Sequence, residues 1–317
     1  MFTLAFSLNL LAQQVMSDKT IALFDAIRSG STEQLQQQLT NGANANDSLY
    51  SYSALMAATL NGSVQQMKVL IEHGANVNYQ SSDGTTALWL AVPDWDKTKL
   101  LLANGADINH KIGGYGILVK LAAMPGTLKL IHLLIDKGAD LKHSSNDNYL
   151  VYNAASSGDT AILGFLIRSG FNVNDSVSFG DYPINNAESF RTFATLKMLV
   201  DNGANVNVKE WTSSGLDALG AFKGFTPLMF AAWMHDKQSF LYLLEHGANP
   251  NATTKQGYTP LMLLEQSETD DPEMTLALIK HGAVVSQKEQ DGEDALFYAK
   301  EKGNTPSVAI LEKYSKK

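Results

Sequence analysis

Apolar residues recur along most of the chain at the three- and four-residue spacing that places them on one face of an α-helix. Two clear segments carry Val64, Met67, Leu70 and Ile71, and then Ile162, Leu163, Leu166 and Ile167. Pairs of small residues precede such segments at Ala57–Ala58, Ala122–Ala123, Ala154–Ala155 and Ala231–Ala232. Because small residues let helices approach closely, this pattern predicts pairs of short helices packed against one another.

Glycine positions set the length of each predicted helix pair. Glycines at 30, 62, 126 and 158 each lie 12 residues before a second glycine, at 42, 74, 138 and 170. The second glycine follows the apolar segment and supplies the left-handed conformation in which many helices end. The constant spacing therefore predicts a helix–turn–helix unit of fixed size.

A short motif of the form x-Gly-Ala-Asn/Asp-x-Asn recurs with small variations along the chain. Its glycines stand at 42, 74, 105, 138, 170, 203, 247 and 282. Successive glycines are separated by 32, 31, 33, 32, 33, 44 and 35 residues. A period near 33 residues indicates an array of similar structural units.

A second motif precedes the first helix of several units. It reads Gly224-Phe225-Thr226-Pro227-Leu228 and Gly257-Tyr258-Thr259-Pro260-Leu261, with weaker forms that begin at Gly84, Gly180 and Gly292. Thr can cap a helix, Pro is tolerated in the first helical turn, and Leu can enter the core. In the fourth unit Gly113-Gly114-Tyr115-Gly116 replaces this sequence and predicts a modified turn.

Together the two motifs resemble the ankyrin repeat, whose unit is a β-turn finger followed by two antiparallel helices. The resemblance covers roughly residues 19–317 and leaves 1–18 as a possible signal segment or upstream extension. It implies an all-α repeat solenoid in a single curved stack, with the terminal units as caps. The predicted units are 19–46, 47–78, 79–109, 110–142, 143–174, 175–207, 208–251, 252–286 and 287–317.

Composition narrows the classes of function. The chain has 24 Lys and Arg against 32 Asp and Glu, a net charge of −8, which opposes the attraction on which nonspecific nucleic-acid binding relies. No nucleic acid is expected as a partner. The absence of cysteine excludes disulfides, thiolate zinc sites and cysteine nucleophiles.

The first residues of the chain allow two interpretations of the cellular compartment. Residues 2–12 are mostly apolar and can be read as a signal peptide, which would make the protein secreted or periplasmic. Translation from Met16 instead of Met1 would give a polar start and a cytoplasmic protein, which is the location we expect. No later segment approaches the roughly 20 consecutive apolar residues of a membrane-spanning helix.

The sequence contains no arrangement typical of catalysis. Its histidines form no His-x-His or His-Glu-x-x-His motif, and no nucleophile elbow or phosphate-binding loop is present. We therefore predict no catalytic, cofactor-binding or metal-ligating residue and no enzyme activity. His73, His246 and His281 precede the terminal glycine of a second helix, where a partly protonated imidazole is mildly favourable.

Three further local features have mainly structural interpretations. The acidic segment 268–273 is interpreted as a solvated loop. The Asn-x-Ser/Thr sequences largely follow from the repeat itself, and occur at Asn46, Asn61, Asn174 and Asn251. Eleven extra residues lengthen the finger between Asn207 and Gly224, so that 208–223 form an insertion with Trp211, Leu216, Leu219 and Phe222. This insertion either packs on its own repeats or supplies an interaction surface.

The resemblance also implies where a partner binds, because finger tips and first helices form the concave face of ankyrin repeats. Aromatic residues are common binding anchors, and several of those at matching positions are expected to pack between fingers instead. The predicted function is a noncatalytic, monomeric protein-binding scaffold, with an inhibitor or immunity-type regulator and an enzyme accessory protein as alternatives. The candidate partner-binding residues are Tyr50, Tyr52, Tyr79, Trp89, Tyr152, Phe179, Trp211, Phe222, Phe225, Trp233 and Tyr258.

Overall fold

A computed structural model describes residues 17–144, 148–178, 180–189, 192–209 and 224–315 of the chain. Phe179, most of the insertion, with Trp211 and Phe222, and the apolar start of the chain lie outside the described residues.

Eighteen helices occur in the described residues, and each predicted unit contributes two of them. The first helices are α1 (Asp18–Ser29), α3 (Ala54–Asn61), α5 (Ala87–Ala91), α7 (Ile117–Ala122), α9 (Tyr149–Ser157), α11 (Pro183–Ser189), α13 (Pro227–Trp233), α15 (Pro260–Glu265) and α17 (Ala295–Lys302). The second helices are α2 (Thr32–Thr40), α4 (Val64–Glu72), α6 (Trp95–Ala103), α8 (Leu128–Asp136), α10 (Thr160–Arg168), α12 (Phe193–Asp201), α14 (Lys237–Glu245), α16 (Pro272–Lys280) and α18 (Thr305–Tyr314). The prediction of paired short helices is confirmed.

The described residues separate into two compact units. The first contains 17–117 and 130–144, and the second contains 118–129 and the described residues after 147. Inside the first unit, α3 packs on α1 and α5, while α4 packs on α2 and α6. Inside the second unit, the first helices α9, α11, α13, α15 and α17 pack in succession, and so do the second helices from α10 to α18. Each unit is thus an all-α repeat solenoid.

The Thr-Pro-Leu motif starts first helices as its chemistry predicts. The Thr226 hydroxyl oxygen accepts a hydrogen bond from the Met229 amide at 3.3 Å, and Thr259 does the same for Met262. Pro227 and Pro260 occupy the first helical positions, where a missing amide proton costs nothing. Leu228 and Leu261 follow them into the core.

The fingers that precede the first helices are of two kinds. In the second and fourth repeats the finger is a two-residue hairpin, formed by β1 (Ser48–Leu49) with β2 (Tyr52–Ser53) and by β3 (Lys111–Ile112) with β4 (Tyr115–Gly116). In four other repeats it is a wider turn, closed by a bond from an amide to the carbonyl oxygen four residues later. These turns join Ser81 to Thr85, Val177 to Asp181, Thr254 to Tyr258 and Glu289 to Glu293.

Asparagine side chains join successive repeats at the finger end of the stack. Asn78 Nδ2 donates to the carbonyl oxygen of Gly105 at 2.9 Å, and Asn78 Oδ1 accepts from the Asp107 amide at 2.7 Å. The same pair of bonds is made by Asn46, Asn109, Asn174, Asn207 and Asn251. The motif's final asparagine therefore satisfies two backbone groups of the following repeat, which would otherwise lack partners at the end of its second helix.

Polar side chains also join repeats at the opposite end of the first helices, where carbonyl groups lack helical partners. Gln66 Nε2 donates to Ala26 O and Ile27 O, and Lys97 Nζ donates to Thr59 O at 2.6 Å. In the second unit Thr195 Oγ1 donates to Ala155 O at 2.6 Å. Each bond runs from a second helix to the end of the preceding repeat's first helix, which fixes the spacing of the stack.

Candidate functional site

The finger of the second repeat presents the most exposed aromatic residue among the candidates that the structure describes. Tyr50 lies at the tip of the β1–β2 hairpin and its side chain is 85% exposed. Its φ is 49°, and that of Ser51 is 69°, so both turn residues occupy the left-handed region. That region is unfavourable for residues with a β-carbon, and this kind of hairpin turn usually contains Asn-Gly.

The finger of the fourth repeat shows what the same turn looks like without strain. Gly113 and Gly114 occupy the two turn positions there, with φ of 57° and 89°. Glycine adopts these angles readily because it has no β-carbon. The comparison shows that Tyr50 is held in a costly conformation at a position where this chain elsewhere uses glycine.

The remaining candidates of the first unit are half-buried. Tyr52 lies on β2 and pairs with Leu49 across the hairpin. Tyr79 begins the third repeat, and Trp89 lies in the first turn of α5, where its amide donates to the capping Thr86 hydroxyl at 3.3 Å. Each of these three residues is therefore partly accessible to a partner.

Tyr152, in the second unit, has a structural partner. Its hydroxyl group donates to Asp181 Oδ2 at 2.8 Å, and its ring packs edge-on against Tyr149 with centroids 6.0 Å apart. Asp181 is 5% exposed and also accepts a bond from Asn185 Nδ2 at 3.1 Å. Tyr152 thus fixes the finger of the sixth repeat.

The aromatic candidates near the seventh and eighth repeats differ in exposure. Phe225 is only 3% exposed and forms a core cluster with Met229, Phe230, Ala252 and Leu263, against which Tyr258 packs. Trp233, by contrast, is 43% exposed at the end of α13. Phe225 therefore has a packing role, whereas Trp233 presents surface.

Sequence reasoning missed an aromatic pair in the last repeat. Phe297 is 43% exposed, and its ring packs edge-on against Tyr298 at 5.4 Å. The Tyr298 ring lies 6.1 Å from that of Tyr258, and burial together with a hydrogen bond to Tyr258 raises the pKa of Tyr298. Phe297 and Tyr298 lie in a first helix, as Trp233 does, and this position could have marked them as candidate binding residues.

The acidic segment 268–273 makes mainly structural contacts. Asp271 Oδ1 caps α16 by accepting from the amides of Glu273 and Met274, and Lys237 forms ion pairs with Asp271 and Glu273. No group of three or more His, Asp or Glu side chains in the described part of the chain is arranged to hold a metal ion.

The three histidines at the ends of second helices interact with their own helices. Nδ1 of His73, His246 and His281 lies 2.7–2.8 Å from the carbonyl oxygen four residues earlier. Each ring can thus satisfy a carbonyl group of the last helical turn. The prediction of a structural role for these histidines agrees with this geometry.

Three of the four Asn-x-Ser/Thr sites are occupied by the hydrogen bonds between repeats. Asn46, Asn174 and Asn251 each donate Nδ2 protons to a glycine carbonyl group, at 2.8–2.9 Å. Glycosylation joins the sugar to that same nitrogen and replaces one of its two protons, so the sugar would compete with this contact for space.

No helix in the described ranges combines the length and the apolar character that crossing a membrane requires.

Comparison with known proteins places this geometry in a family. The sequence model described as "Ankyrin repeats (3 copies)" matches residues 23–112, 151–254 and 228–317. The chain is also 29% identical over 198 residues to YahD of Escherichia coli strain K12, a protein named for its ankyrin repeats, with 60% of this chain and 92% of that protein covered. Ankyrin repeats are generally noncatalytic modules of protein–protein interaction. The matches span more than half of the sequence, and the chain belongs to the ankyrin repeat family.

Proposed function

We propose that this chain is a noncatalytic scaffold that binds a protein partner through the finger and first-helix face of its repeats, with Tyr50 as an anchor. The observation that carries the proposal is the combination of 85% exposure and left-handed backbone at Tyr50. Strained residues persist only where the surrounding structure fixes them, and they cluster at functional sites.

The chemistry of the finger supports a protein partner. The hairpin from Ser48 to Ser53 contains two tyrosines, three serines and one leucine, and no charged residue. Tyrosine supplies a large contact area at low entropy cost, and serine supplies adaptable hydrogen bonds, which is the composition of many protein-recognition loops. In the second unit Trp233, 43% exposed, offers the same kind of anchor.

Site-specific photo-crosslinking tests the proposal. A photoreactive phenylalanine analogue placed at position 50 of the full chain should crosslink to a protein in native extract. The same analogue at Leu60, which is 49% exposed near the far end of α3, is the control. Equal crosslinking from both positions would reject the finger as the binding surface.

The alternative of an inhibitor with an acidic binding face gives a different result when the partner is captured from native extract at increasing salt concentrations. Because the hairpin is uncharged, capture through Tyr50 should change little as salt increases. Capture that falls steeply with salt and survives Tyr50→Ala would instead favour binding through the acidic surface.

A further inference from the structure

A buried carboxyl group lies at the junction of the eighth and ninth repeats. Glu265 ends α15, and its side chain is 1% exposed. The equivalent position of the seventh repeat, six residues after the capping threonine, contains the fully buried Ala232. A carboxyl group at a position suited to alanine has lost its water and depends on polar partners.

Glu265 belongs to a network of four side chains whose oxygen atoms lie within hydrogen-bonding distance of one another, one after the next. Glu265 Oε1 lies 2.6 Å from Thr275 Oγ1, which lies 3.1 Å from Ser307 Oγ. Ser307 Oγ in turn lies 2.5 Å from Asp270 Oδ1. Since Thr275 and Ser307 are both 0% exposed, no water competes for these contacts.

The number of available protons shows whether both carboxyl groups of this network can be ionised. The hydroxyl groups of Thr275 and Ser307 supply two protons, but the network contains three oxygen–oxygen contacts. With both carboxyl groups ionised, one contact would bring two oxygen atoms together without a proton. The Asp271 carbonyl oxygen, 3.2 Å from Thr275 Oγ1, adds an acceptor and no proton.

One additional proton gives every contact its own donor. A neutral Glu265 donates from Oε1 to Thr275, Thr275 donates to Ser307, and Ser307 donates to Asp270. The other oxygen, Glu265 Oε2, remains an acceptor and lies 3.4 Å from Asn304 Nδ2. Asn304 Nδ2 also donates to the Glu265 backbone carbonyl oxygen at 3.2 Å.

Burial places the additional proton on Glu265. Glu265 is almost completely buried while Asp270 is half-buried, and desolvation disfavours the charged form most where water is most excluded. This desolvation raises the pKa of Glu265 to about 7, and the negative charges of Asp270 and Asp271 act in the same direction.

The other elements packed on α15 leave Glu265 without a buried positive charge. α13 has no titratable side chain, and the His235 ring that follows it has a pKa lowered by burial. On α16, Glu273 pairs with Lys237 at the surface, and Lys280 is exposed at the far end of the helix. On α17, Lys300, Glu301 and Lys302 are exposed, and Lys300 pairs with Glu312 of α18.

We propose that a proton on Glu265 completes the junction between the eighth and ninth repeats, and that ionisation of Glu265 loosens the ninth repeat. Thr275 belongs to the eighth repeat and Ser307 to the ninth, so the contact that needs the additional proton crosses the junction. Asn304 is 2% exposed and is anchored there by Glu265 and by the carbonyl oxygen of Ser267. The ninth repeat is therefore held more firmly in mildly acidic than in mildly alkaline solution.

Hydrogen exchange of the full chain, corrected for the intrinsic pH dependence of exchange, tests this proposal and needs no binding partner. Protection of amides in α17 and α18, relative to α13 and α14, should fall about tenfold between pH 6 and pH 8, because the folded state holds a proton that the open state loses. Glu265→Gln keeps both a donor and an acceptor and should show little change in protection over this range. The control Glu273→Gln alters an exposed carboxylate and should behave as the wild type.

Four results would overturn the proposal. Constant wild-type protection between pH 6 and pH 8 would do so, as would an unchanged pH dependence in Glu265→Gln. Asp270 Oδ2 is buried without a hydrogen-bond partner among the described residues, so Asp270→Asn tests whether the additional proton is on Asp270 instead of Glu265. If Asp270→Asn alone removed the pH dependence, the proton would belong to Asp270. A carbon-13 NMR titration of the Glu265 carboxyl group with a midpoint near 4.5 would also contradict the proposal.

Discussion

The Tyr152 hydroxyl group donates a hydrogen bond of 2.8 Å to the carboxylate of Asp181, one repeat further along the chain. Asp181 closes the wide turn of the sixth finger, because its backbone carbonyl oxygen accepts from the Val177 amide. A tyrosine whose position suggests partner binding therefore also supports the neighbouring finger. The two roles can be separated by experiment.

Tyr152→Phe should lower the free energy of unfolding of the second unit by about 1–2 kcal/mol, because the buried Asp181 carboxylate loses a donor. Urea unfolding followed by circular dichroism measures this change. Tyr50→Phe is the matched control at an exposed ring and should change stability by less than about 0.5 kcal/mol. Unchanged stability in Tyr152→Phe with reduced partner capture would show a direct binding role instead.

The double change Tyr50→Asn with Ser51→Gly should stabilise the first unit by about 1 kcal/mol, because Asn-Gly suits the left-handed turn. It should at the same time weaken partner capture, because the exposed ring is removed. Thermal unfolding measures the first effect, and a pull-down of the partner from native extract measures the second. Gly113→Ala in the equivalent hairpin should have the opposite effect on stability. A double variant that binds as well as the wild type would contradict the anchor role of Tyr50.

Asn78→Ala should destabilise the first unit by about 1–3 kcal/mol, because the Gly105 carbonyl oxygen and the Asp107 amide both lose their partners. Asn78→Asp keeps the acceptor for Asp107 but places a carboxylate against the Gly105 carbonyl oxygen, so it should also destabilise. Asn61→Ala, at an exposed helix end, is the control. Equal unfolding midpoints for all three variants and the wild type would contradict a stabilising role of the asparagine contacts.

Gly257→Ala should be more harmful than Gly247→Ala, although both glycines have left-handed φ, of 95° and 84°. A β-carbon at 257 would lie 3.0 Å from the Glu289 α-carbon in the next finger, whereas at 247 it would meet nothing within 4 Å. The difference between the two unfolding free energies therefore isolates the contact between the eighth and ninth fingers. Equal losses would mean that backbone strain accounts for both.

The second unit should be most stable near pH 5. Burial raises the pKa of Glu265 from 4.5 to about 7, so its contribution is complete below pH 4.5 and is lost as the pH rises to about 7. This loss is on the order of 3 kcal/mol. The hydrogen bond from Lys197 lowers the pKa of Asp201 below 3.8, so that contribution is lost only in stronger acid. Urea unfolding at pH 3, 5 and 8 measures the profile, and Glu265→Gln should flatten its alkaline side.

The sequence predicted the helices and their caps because the features that produce them are local. Thr226 caps α13 and Pro227 starts it, as the motif indicates, and the final glycine of each motif marks the end of a second helix. The left-handed conformation of Tyr50 and Ser51 was not predictable, because neither residue is a usual choice for it. It depends on the pairing of β1 with β2 around the turn.

The exposure of aromatic side chains was only partly predictable. Phe225 precedes α13 and Trp233 ends it, yet Phe225 is buried and Trp233 is 43% exposed. The burial of Phe225 depends on Ala252 and Leu263 of the following repeat, and the motif alone does not predict these contacts. The network around Glu265 was not predictable for a similar reason, since Thr275 lies on α16 and both Asn304 and Ser307 lie at the start of α18.

The asparagine contacts between repeats have a consequence for how such a chain can evolve. Each final asparagine offers one donor and one acceptor, and each following repeat presents one carbonyl group and one amide in the same geometry, as Asn174 does with Gly203 and Asn205. The outgoing and incoming ends of a repeat therefore match. Among repeats whose motif ends in asparagine, duplication or deletion of one whole period of the coding sequence leaves every such backbone group with a partner. The fourth repeat, whose motif ends in Lys142, is an exception.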